Sequence, residues 1–459
     1  MAMRVKFPHF LGITAVPVET SQTSSPQSTI RDIPRAVLEA TLPDWRTGKN
    51  KKDEVVKTTP LSTADNVRAL CTLTGWQLRF NEMTKRVEIT RDGMVIPEDD
   101  HENIALTLFG DCVVRAGMGR TELGALVDAV ASSNRYHPVK EWILATPWDG
   151  VPRLYLWHAT LNLVDPRKAS FRDRLMNKWA LQCIGALMED RGISSPGILV
   201  LAGGQHIGKS YWFSHLCQLT DTIGMGLSLD PSNKDSVLKA IRYWIGELGE
   251  LDSTTRRADV SMLKAFLSND VDVVRLPYAR RDTPFRRRSV FGGTVNGTGF
   301  LYDATGNRRF WVMDVLRCEV LPPNVMQQVW AEYMALYQSG QRWHLDADML
   351  AELNASNLDH TAVDPLHERI ATCFDWSGVQ WNEIDSANYR AFPDVTWMSA
   401  TDICIQAGTE RPNKAESTRA GGIVRDLYRV HGRVEQGNLE RKSNGVKLLA
   451  VPARRCGGV

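Results

Sequence analysis

The sequence predicts an α/β protein built on a mainly parallel sheet. Apolar runs at 198–202, 243–248, 290–295 and 309–313 read as buried strands, and helical patterns lie between them. Between the first run and the next helical pattern stands Gly203-Gly204-Gln205-His206-Ile207-Gly208-Lys209-Ser210, with the spacing G-x-x-x-x-G-K-S. Strands separated by helices need crossover connections, which put helices on both faces of the sheet.

At 459 residues the chain is too long for one core, so two or three domains are expected. A hydrophobic share of 43% and a charged share of 24% fit an ordinary globular protein. The net charge of +2 leaves no global basic field, so any nucleic-acid footprint has to be local. Eight cysteines are scattered without a C-x-x-C pair or a Cys/His cluster at zinc spacing, which reads as reduced thiols in the cytoplasm. No apolar run reaches the roughly 18 residues of a membrane span, and the first residues lack the apolar core of a signal peptide. The expectation is a cytoplasmic protein with no membrane partner.

Residues 1–60 lack periodic pattern and are expected to be a largely disordered arm. The stretch 19–28 is too polar to bury, and 46–57 looks like a solvated charged loop. A small α+β domain is expected over 61–145. Ser62, Thr63 and Asp65 precede a helix carrying Val67, Leu70, Cys71 and Leu73, and 76–80 and 86–89 alternate about 81–84 as a hairpin does. Helical patterns fill 101–133, and Pro-rich and Gly-rich turns mark a junction near 136–153. The α/β domain is placed at 146–360, with helices at 171–191, 236–242 and 260–267 and a hairpin within 271–290. Over 361–459, helices near 365–376, 399–407 and 415–431 precede two short runs about Ser443-Asn444-Gly445. Asn-Gly between such runs is a strong hairpin signal, and helices followed by a hairpin suggest a winged-helix-like domain.

The glycine-rich turn carries the chemistry. Gly203, Gly204 and Gly208 let the backbone approach an anion closely, so that successive N–H groups wrap a phosphate where the helix begins. Gln205, His206 and Ile207 complete the loop and Tyr211 follows it. Lys209 would set its ammonium against the β- and γ-phosphates of ATP. Ser210 would offer a hydroxyl to Mg²⁺, which prefers hard oxygen ligands. Glu247 and Glu250 end the second apolar run, where a phosphohydrolase needs an acid for the metal shell and another for the attacking water. Glu247, nearer the strand, suits the metal and Glu250 the water, although the two tasks are not separable from sequence. Asn296 ends the run 290–295, the position of a γ-phosphate sensor in additional-strand nucleoside triphosphatases. Arg308 and Arg309 follow soon after. An arginine supplied by a neighbouring subunit neutralises transferring phosphoryl charge and is worth ~10³–10⁵ in rate. Either of the two fits that part.

Residues 275–288 hold six arginines against one aspartate, interleaved with Tyr278 and Phe285. Arg275, Arg280, Arg281, Arg286 and Arg287 with Tyr278 form a candidate DNA-contacting set of phosphate contacts and base stacking. A solvated charged face is the competing reading. On the C-terminal domain Arg419, Arg425, Arg429, Arg441, Lys442 and Lys447 are further candidates for duplex phosphates, with protein docking as the alternative.

These features follow one another in a specific order. Trp148-Asp149-Gly150-Val151-Pro152-Arg153, the loop at 203–210, Glu247-Leu248-Gly249-Glu250-Leu251, Lys264-Ala265-Phe266-Leu267, Arg275-Leu276-Pro277-Tyr278, Thr294-Val295-Asn296 and Thr305-Gly306-Asn307-Arg308-Arg309-Phe310 succeed one another. In this the chain resembles the virulence-associated protein E family of phages, prophages and pathogenicity islands, which is related to superfamily 3 helicases. The resemblance spans about 148–315. It implies an AAA+-like, superfamily 3-like ATPase core that assembles as a ring, expected to be hexameric, with Mg²⁺-ATP hydrolysed at subunit interfaces. It also implies that the basic hairpin faces single-stranded or forked DNA in a pore. The expected activity is that of an ATP-dependent DNA helicase or translocase in phage or mobile-element replication. The alternative is an ATP switch that loads a helicase or initiates replication without unwinding. No acid cluster before residue 145 supports a polymerase site, so a separate primase partner is expected.

Overall fold

Where the chain can cap a helix, close a turn or bury an apolar run decides its architecture. The computed structural model describes residues 33–92, 94, 101–249, 251, 257–275, 281–297, 299–301, 307–361, 364–376, 395–430 and 440–455, without the side chains of 101, 102, 257–261 and 429. Contacts divide the chain into two units, 1–138 and 139–459.

The first unit contains α1 (Arg35–Thr41), β1 (Trp45–Lys49), β2 (Val55–Pro60), α2 (Ala64–Thr74), β3 (Trp76–Asn81), β4 (Arg86–Arg91), α3 (His101–Arg115), α4 (Leu123–Ser132) and β5 (Arg135–Tyr136). Thr63 caps α2 by accepting the Asn66 N–H at 3.2 Å, and Gly75 ends it in the left-handed region at φ 75°. Asn81 Oδ1 takes the Met83 and Thr84 N–H groups and closes the β3–β4 turn. β5 joins β3 in parallel, so the three strands lie in the order β4-β3-β5. The expected arm is corrected over 33–60, while its residues 1–32 lie outside the described residues. Leu38 and Leu42 are buried in this unit's core with Val67, Leu70, Trp76 and Phe109, and 45–60 is an antiparallel hairpin where a solvated loop was expected. Its lysines and aspartate had masked a strand pair whose apolar positions are few.

The second unit begins with α5 (Pro138–Ala145), α6 (Leu154–Ala159) and β6 (Leu161–Leu163), followed by the long buried helix α7 (Ala169–Met188). The phosphate-loop region runs through β7 (Ile198–Ala202) into α8 (Lys209–Ser214). Then come β8 (Ile223–Leu227), α9 (Lys234–Ala240), β9 (Ile245–Leu248), α10 (Arg257–Ser268), β10 (Val271–Val274), β11 (Thr283–Arg286), β12 (Val290–Val295) and β13 (Phe310–Cys318). The central sheet has the order β6-β13-β7-β12-β9-β8. All its neighbours are parallel except β6, which pairs antiparallel with β13. Counted from β7, the parallel strands therefore lie 5-1-4-3-2, with β12 between the loop strand and the acid-bearing strand. Every residue of β7, β9 and β12 is buried, as strands covered on both faces require. β10 and β11 form their own two-stranded hairpin.

Helix α8 is tied into this core by aromatic rings. Trp212 donates to Thr160 Oγ1 at 2.8 Å and stacks on Trp157 at 5.8 Å, while Trp179 of α7 donates to the Phe291 carbonyl of β12 at 2.9 Å. The chain continues through α11 (Pro323–Gln338) and α12 (Ala347–Leu358) to α13 (Pro365–Cys373), β14 (Val395–Ser399), α14 (Ala400–Gln406), α15 (Lys414–Val430), β15 (Glu440–Ser443) and β16 (Val446–Pro452). The last strands form an antiparallel sheet in the order β14-β16-β15. Asn444 and Gly445 turn β15 into β16 with φ of 49° and 78°, the two positive values a type I′ turn demands. Among the described residues no helix is long and apolar enough to cross a membrane.

Gly292 of β12 meets the Phe213 ring of α8 so closely that a Cβ there would lie 2.2 Å from the ring. The Phe213 ring is fully buried and cannot swing aside. Gly292→Ala should therefore cost about 1–3 kcal/mol by overpacking. Denaturant titration should show a lower midpoint, and an unchanged midpoint would contradict this packing.

Candidate functional site

The glycine-rich loop lies at the carboxyl end of β7 and is braced from behind by the end of β13. The Cys318 N–H donates to the Ile207 carbonyl at 2.9 Å. A Cβ on Gly203 would lie 2.3 Å from the Val315 carbonyl oxygen, and Gly208 has φ 93° with a Cβ position 2.9 Å from the Cys318 carbonyl oxygen. These two contacts require glycine at both positions. Gly204, Gln205 and His206 are exposed at the turn, His206 with φ 63°. The Gly208 carbonyl accepts the Trp212 N–H at 2.8 Å and opens α8. Tyr211 is exposed and packs on His215 with ring centroids 3.9 Å apart. Behind the loop, burial pushes the Cys318 thiol up to about 12, against the opposing pull of the Lys209 charge.

Lys209 is buried to 7% exposure. Its ammonium donates to the Gly203 and Gly204 carbonyls at 2.7 and 2.5 Å and to Asn296 Oδ1 at 3.1 Å. Asn296 thus sits at the end of β12 directly beside the loop lysine. Glu247, on β9 next door, is 1% exposed. Its Oε1 accepts from Ser210 Oγ at 3.1 Å and Thr294 Oγ1 at 2.8 Å, and its Oε2 accepts from the Gly226 N–H at 2.7 Å. Three donors are what make such a buried carboxylate tolerable, since each bond to a charged group contributes about 1.5–3 kcal/mol. Lys209, Ser210, Glu247 and Asn296 therefore converge from three parallel strands.

A hydroxyl and a carboxylate 3.1 Å apart beside the glycine-rich loop are hard oxygens of the kind Mg²⁺ accepts. Among the described residues no group of three or more His, Cys, Asp or Glu is arranged to hold a metal. Phosphate oxygens would have to complete the shell.

Arg308 and Arg309 stand elsewhere. Phe310 pairs with Ile198, so both arginines lie at the amino end of β7, with the loop at its carboxyl end. Five strand residues at roughly 3.3 Å each separate the two ends by ~16 Å. Arg308 is exposed, whereas Arg309 donates to Ser268 Oγ at 2.8 Å beside Ser195, Trp311 and His344. Burial and the like charge of Arg308 lower the Arg309 pKa.

The basic hairpin is divided by the pleat. Arg275, Arg281 and Arg286 are exposed, but Arg287 is 1% exposed and its guanidinium grips the Asp272 carboxylate, with Nε at 3.0 Å, while stacking on Phe266 at 4.1 Å. The expectation that Arg287 contacts DNA is corrected: it is a core ion pair. Arg288 is buried too, donating to the Ala186 and Glu189 carbonyls, and Phe285 faces inward at 9% exposure. Glu250, Tyr278 and Arg280 lie outside the described residues. In the C-terminal sheet Arg425 and Lys447 both pair with Glu440, and Arg441 lies over Trp397 at 4.5 Å. Arg419 is 3.7 Å from Asp364, Lys442 is exposed, and the side chain of Arg429 is not described.

Two parts of the site were not anticipated. Thr294 holds Glu247, and the Gly226 N–H of the unforeseen strand β8 holds its other oxygen. Thr294 is two residues before Asn296 and hence on the same face of β12, a period-2 relation that points to it once Asn296 is chosen. β8 carries two glycines and gives no comparable signal.

The class these features define is an α/β unit with a parallel sheet whose carboxyl edge gathers a glycine-rich phosphate-type loop, an acid and a polar strand-end residue. Residues 143–362 match the family described as Virulence-associated protein E-like domain, and the chain carries a domain of that family. No curated protein sequence matches the chain. Among solved structures it is similar to the A form apo structure of the NrS-1 C terminal region (305–718), with TM-score 0.43 and 13% identity over 84% of this chain and 98% of that one. It is also similar to the A form apo structure of the NrS-1 C terminal region, with TM-score 0.41 and 14% identity over 86% and 100%.

Because Thr294 positions Glu247, Thr294→Val should lower Mg²⁺-dependent turnover about 10–100-fold, the usual cost of losing a partner that orients a ligand. ATP hydrolysis measured against Mg²⁺ concentration checks this, and wild-type turnover would remove Thr294 from the site.

Proposed function

We propose that this chain is a Mg²⁺-dependent ATPase that acts on DNA as a ring, in the manner of a helicase or translocase of phage or mobile-element replication. The observation that carries the reading is the convergence of Lys209, Ser210, Glu247 and Asn296 at the carboxyl edge of three adjacent parallel strands. The strand order 5-1-4-3-2, with β12 inserted beside the loop strand, supports an AAA+-like, superfamily 3-like core. The family domain supports the replication setting.

In this reading the loop amides of 203–211 hold the ATP phosphates and Lys209 transfers its hydrogen bonds from the Gly203 and Gly204 carbonyls to them. Ser210 and Glu247 hold Mg²⁺, which supplies neutralisation of phosphate charge. Glu250 positions the attacking water. Asn296, already bonded to Lys209, reports the γ-phosphate to β12. The ~16 Å between Arg308 or Arg309 and the loop strand's far end favours their action on the neighbouring subunit's phosphates, which makes hydrolysis a property of the ring. Arg275, Arg280, Arg281 and Arg286 contact DNA from the hairpin, and binding should weaken steeply with salt.

The C-terminal arrangement α13-β14-α14-α15-β15-β16 supports the winged-helix reading. The pairing of Arg425 and Lys447 with Glu440 removes two cations from the phosphate-binding set and favours docking of a replication protein, such as a separate primase, on that surface.

Lys209→Ala is expected to abolish ATP hydrolysis while leaving salt-sensitive DNA binding in place. Wild-type protein with ATP should displace a strand from a forked duplex, and the Lys209→Ala protein should not. ATPase without any strand displacement would assign the chain to loading or initiation instead.

A further inference from the structure

The hairpin β1–β2 has no part in the nucleotide site, yet it is the most one-sidedly charged exposed element of the first unit. From Trp45 to Pro60 it carries five cations (Arg46, Lys49, Lys51, Lys52, Lys57) and two acids (Asp53, Glu54), a net of +3. The acids are turned onto the ribbon's own groups. Asp53 pairs with Lys49 at 3.0 Å and Glu54 accepts from Asn50 Nδ2 at 2.8 Å. Lys57 donates to the Glu39 carbonyl at 2.6 Å. The side chains of Arg46, Lys51 and Lys52 are exposed and make no hydrogen bond or ion pair among the described residues.

The ribbon is also held rigidly at both ends. At its root Arg35 donates to the Lys57 and Thr58 carbonyls at 2.7 and 3.0 Å, Trp45 Nε1 donates to the Leu42 carbonyl at 2.8 Å, and Pro60 is buried. At its tip Asn50 Oδ1 accepts the Lys52 and Glu54 N–H groups at 2.8 and 3.0 Å, and Asp53 adopts φ 63°. Lys51 and Lys52 are thus fixed at the apex. Between root and tip the two strands form a sheet of their own, exposed along most of both faces.

A two-stranded ribbon in isolation is marginal, so a free-standing one is costly unless it is used. Lysines on a sheet edge discourage edge-to-edge pairing, but that purpose does not need two of them at the tip of the turn. A ribbon with a net charge of +3, two of whose exposed lysines stand at a fixed tip, instead matches a polyanion. The major groove of B-form DNA, roughly 12 Å wide, admits a two-stranded ribbon with phosphates along both rims.

We propose that the β1–β2 ribbon is a second DNA-contacting element, which enters the major groove of duplex DNA with Arg46, Lys51 and Lys52 set against the phosphates. It shares no residue with the ATPase site or with the 275–288 hairpin. Duplex binding through it is independent of nucleotide and survives Lys209→Ala.

The test uses the full chain without nucleotide. Binding of a blunt, fluorescent DNA duplex is followed by anisotropy over a series of salt concentrations, for the wild type and for the Arg46→Gln/Lys51→Gln/Lys52→Gln variant. The expected result is binding weaker by at least about tenfold, with a log–log salt slope shallower by roughly 2.7, as loss of three phosphate contacts requires. An Arg46→Lys/Lys51→Arg/Lys52→Arg variant, which keeps the charge, should bind as the wild type does. Unchanged affinity and slope in the glutamine variant would overturn the proposal. So would weaker binding at an unchanged slope. The ATPase of the glutamine variant without DNA should equal that of the wild type, which separates failure of this proposal from failure of the ATPase reading.

Discussion

The buried carboxylate of Glu247 is the constraint from which the rest of the second unit can be understood. A nearly solvent-free negative charge is costly unless hydrogen-bond donors compensate it. Its donors come from three places: Ser210 at the start of α8, Thr294 on β12 and the Gly226 N–H on β8. Each requires its own strand to be in register. The parallel pairing of β8, β9, β12 and β7, the glycine at 292 that lets Phe213 pack under β12, and the aromatic ring contacts around Trp212 all keep those donors within reach. Lys209 supplies the opposite charge nearby, as the residue before Ser210, whose hydroxyl donates to Glu247.

A second consequence is the polarity of the sheet. The loop, the acid and Asn296 occupy the carboxyl edge, while Arg308 and Arg309 occupy the amino edge. Within one chain they belong to different surfaces. A ring in which the amino edge of one subunit faces the carboxyl edge of the next would bring them together, and heterologous contacts of this head-to-tail kind are what close rings. The proposed dependence of hydrolysis on assembly is motivated by that separation.

Much of this was legible in the sequence, for identifiable reasons. The strand β7 is an uninterrupted apolar run and β9 and β12 are mostly apolar, and glycine, lysine and serine at the spacing of the loop are the signature of a backbone that cradles phosphate. The Asn444-Gly445 turn was equally plain. What escaped had weaker local signals. β8 holds two glycines in five residues, and β14 lies far in sequence from its partner β16. The hairpin at 45–60 is so rich in lysine that its strand pairing is invisible to composition. Arg287 was misjudged because charge in a run of arginines looks uniform, whereas the pleat sends Arg286 out and the following turn sends Arg287 in to Asp272. Burial of one arginine among six is a tertiary fact.

In the proposed function ATP is hydrolysed between subunits, with Lys209 from one and an arginine at 308 or 309 from the next. Mixing two inactive proteins tests it most directly: Lys209→Ala, and the double variant Arg308→Ala/Arg309→Ala. If the arginines act on the neighbouring subunit, random mixing in equal amounts should restore roughly a quarter of wild-type ATPase, because that share of interfaces regains both groups. If the mixture stays as inactive as its components, or if the arginine variant alone hydrolyses ATP at the wild-type rate, the account is contradicted.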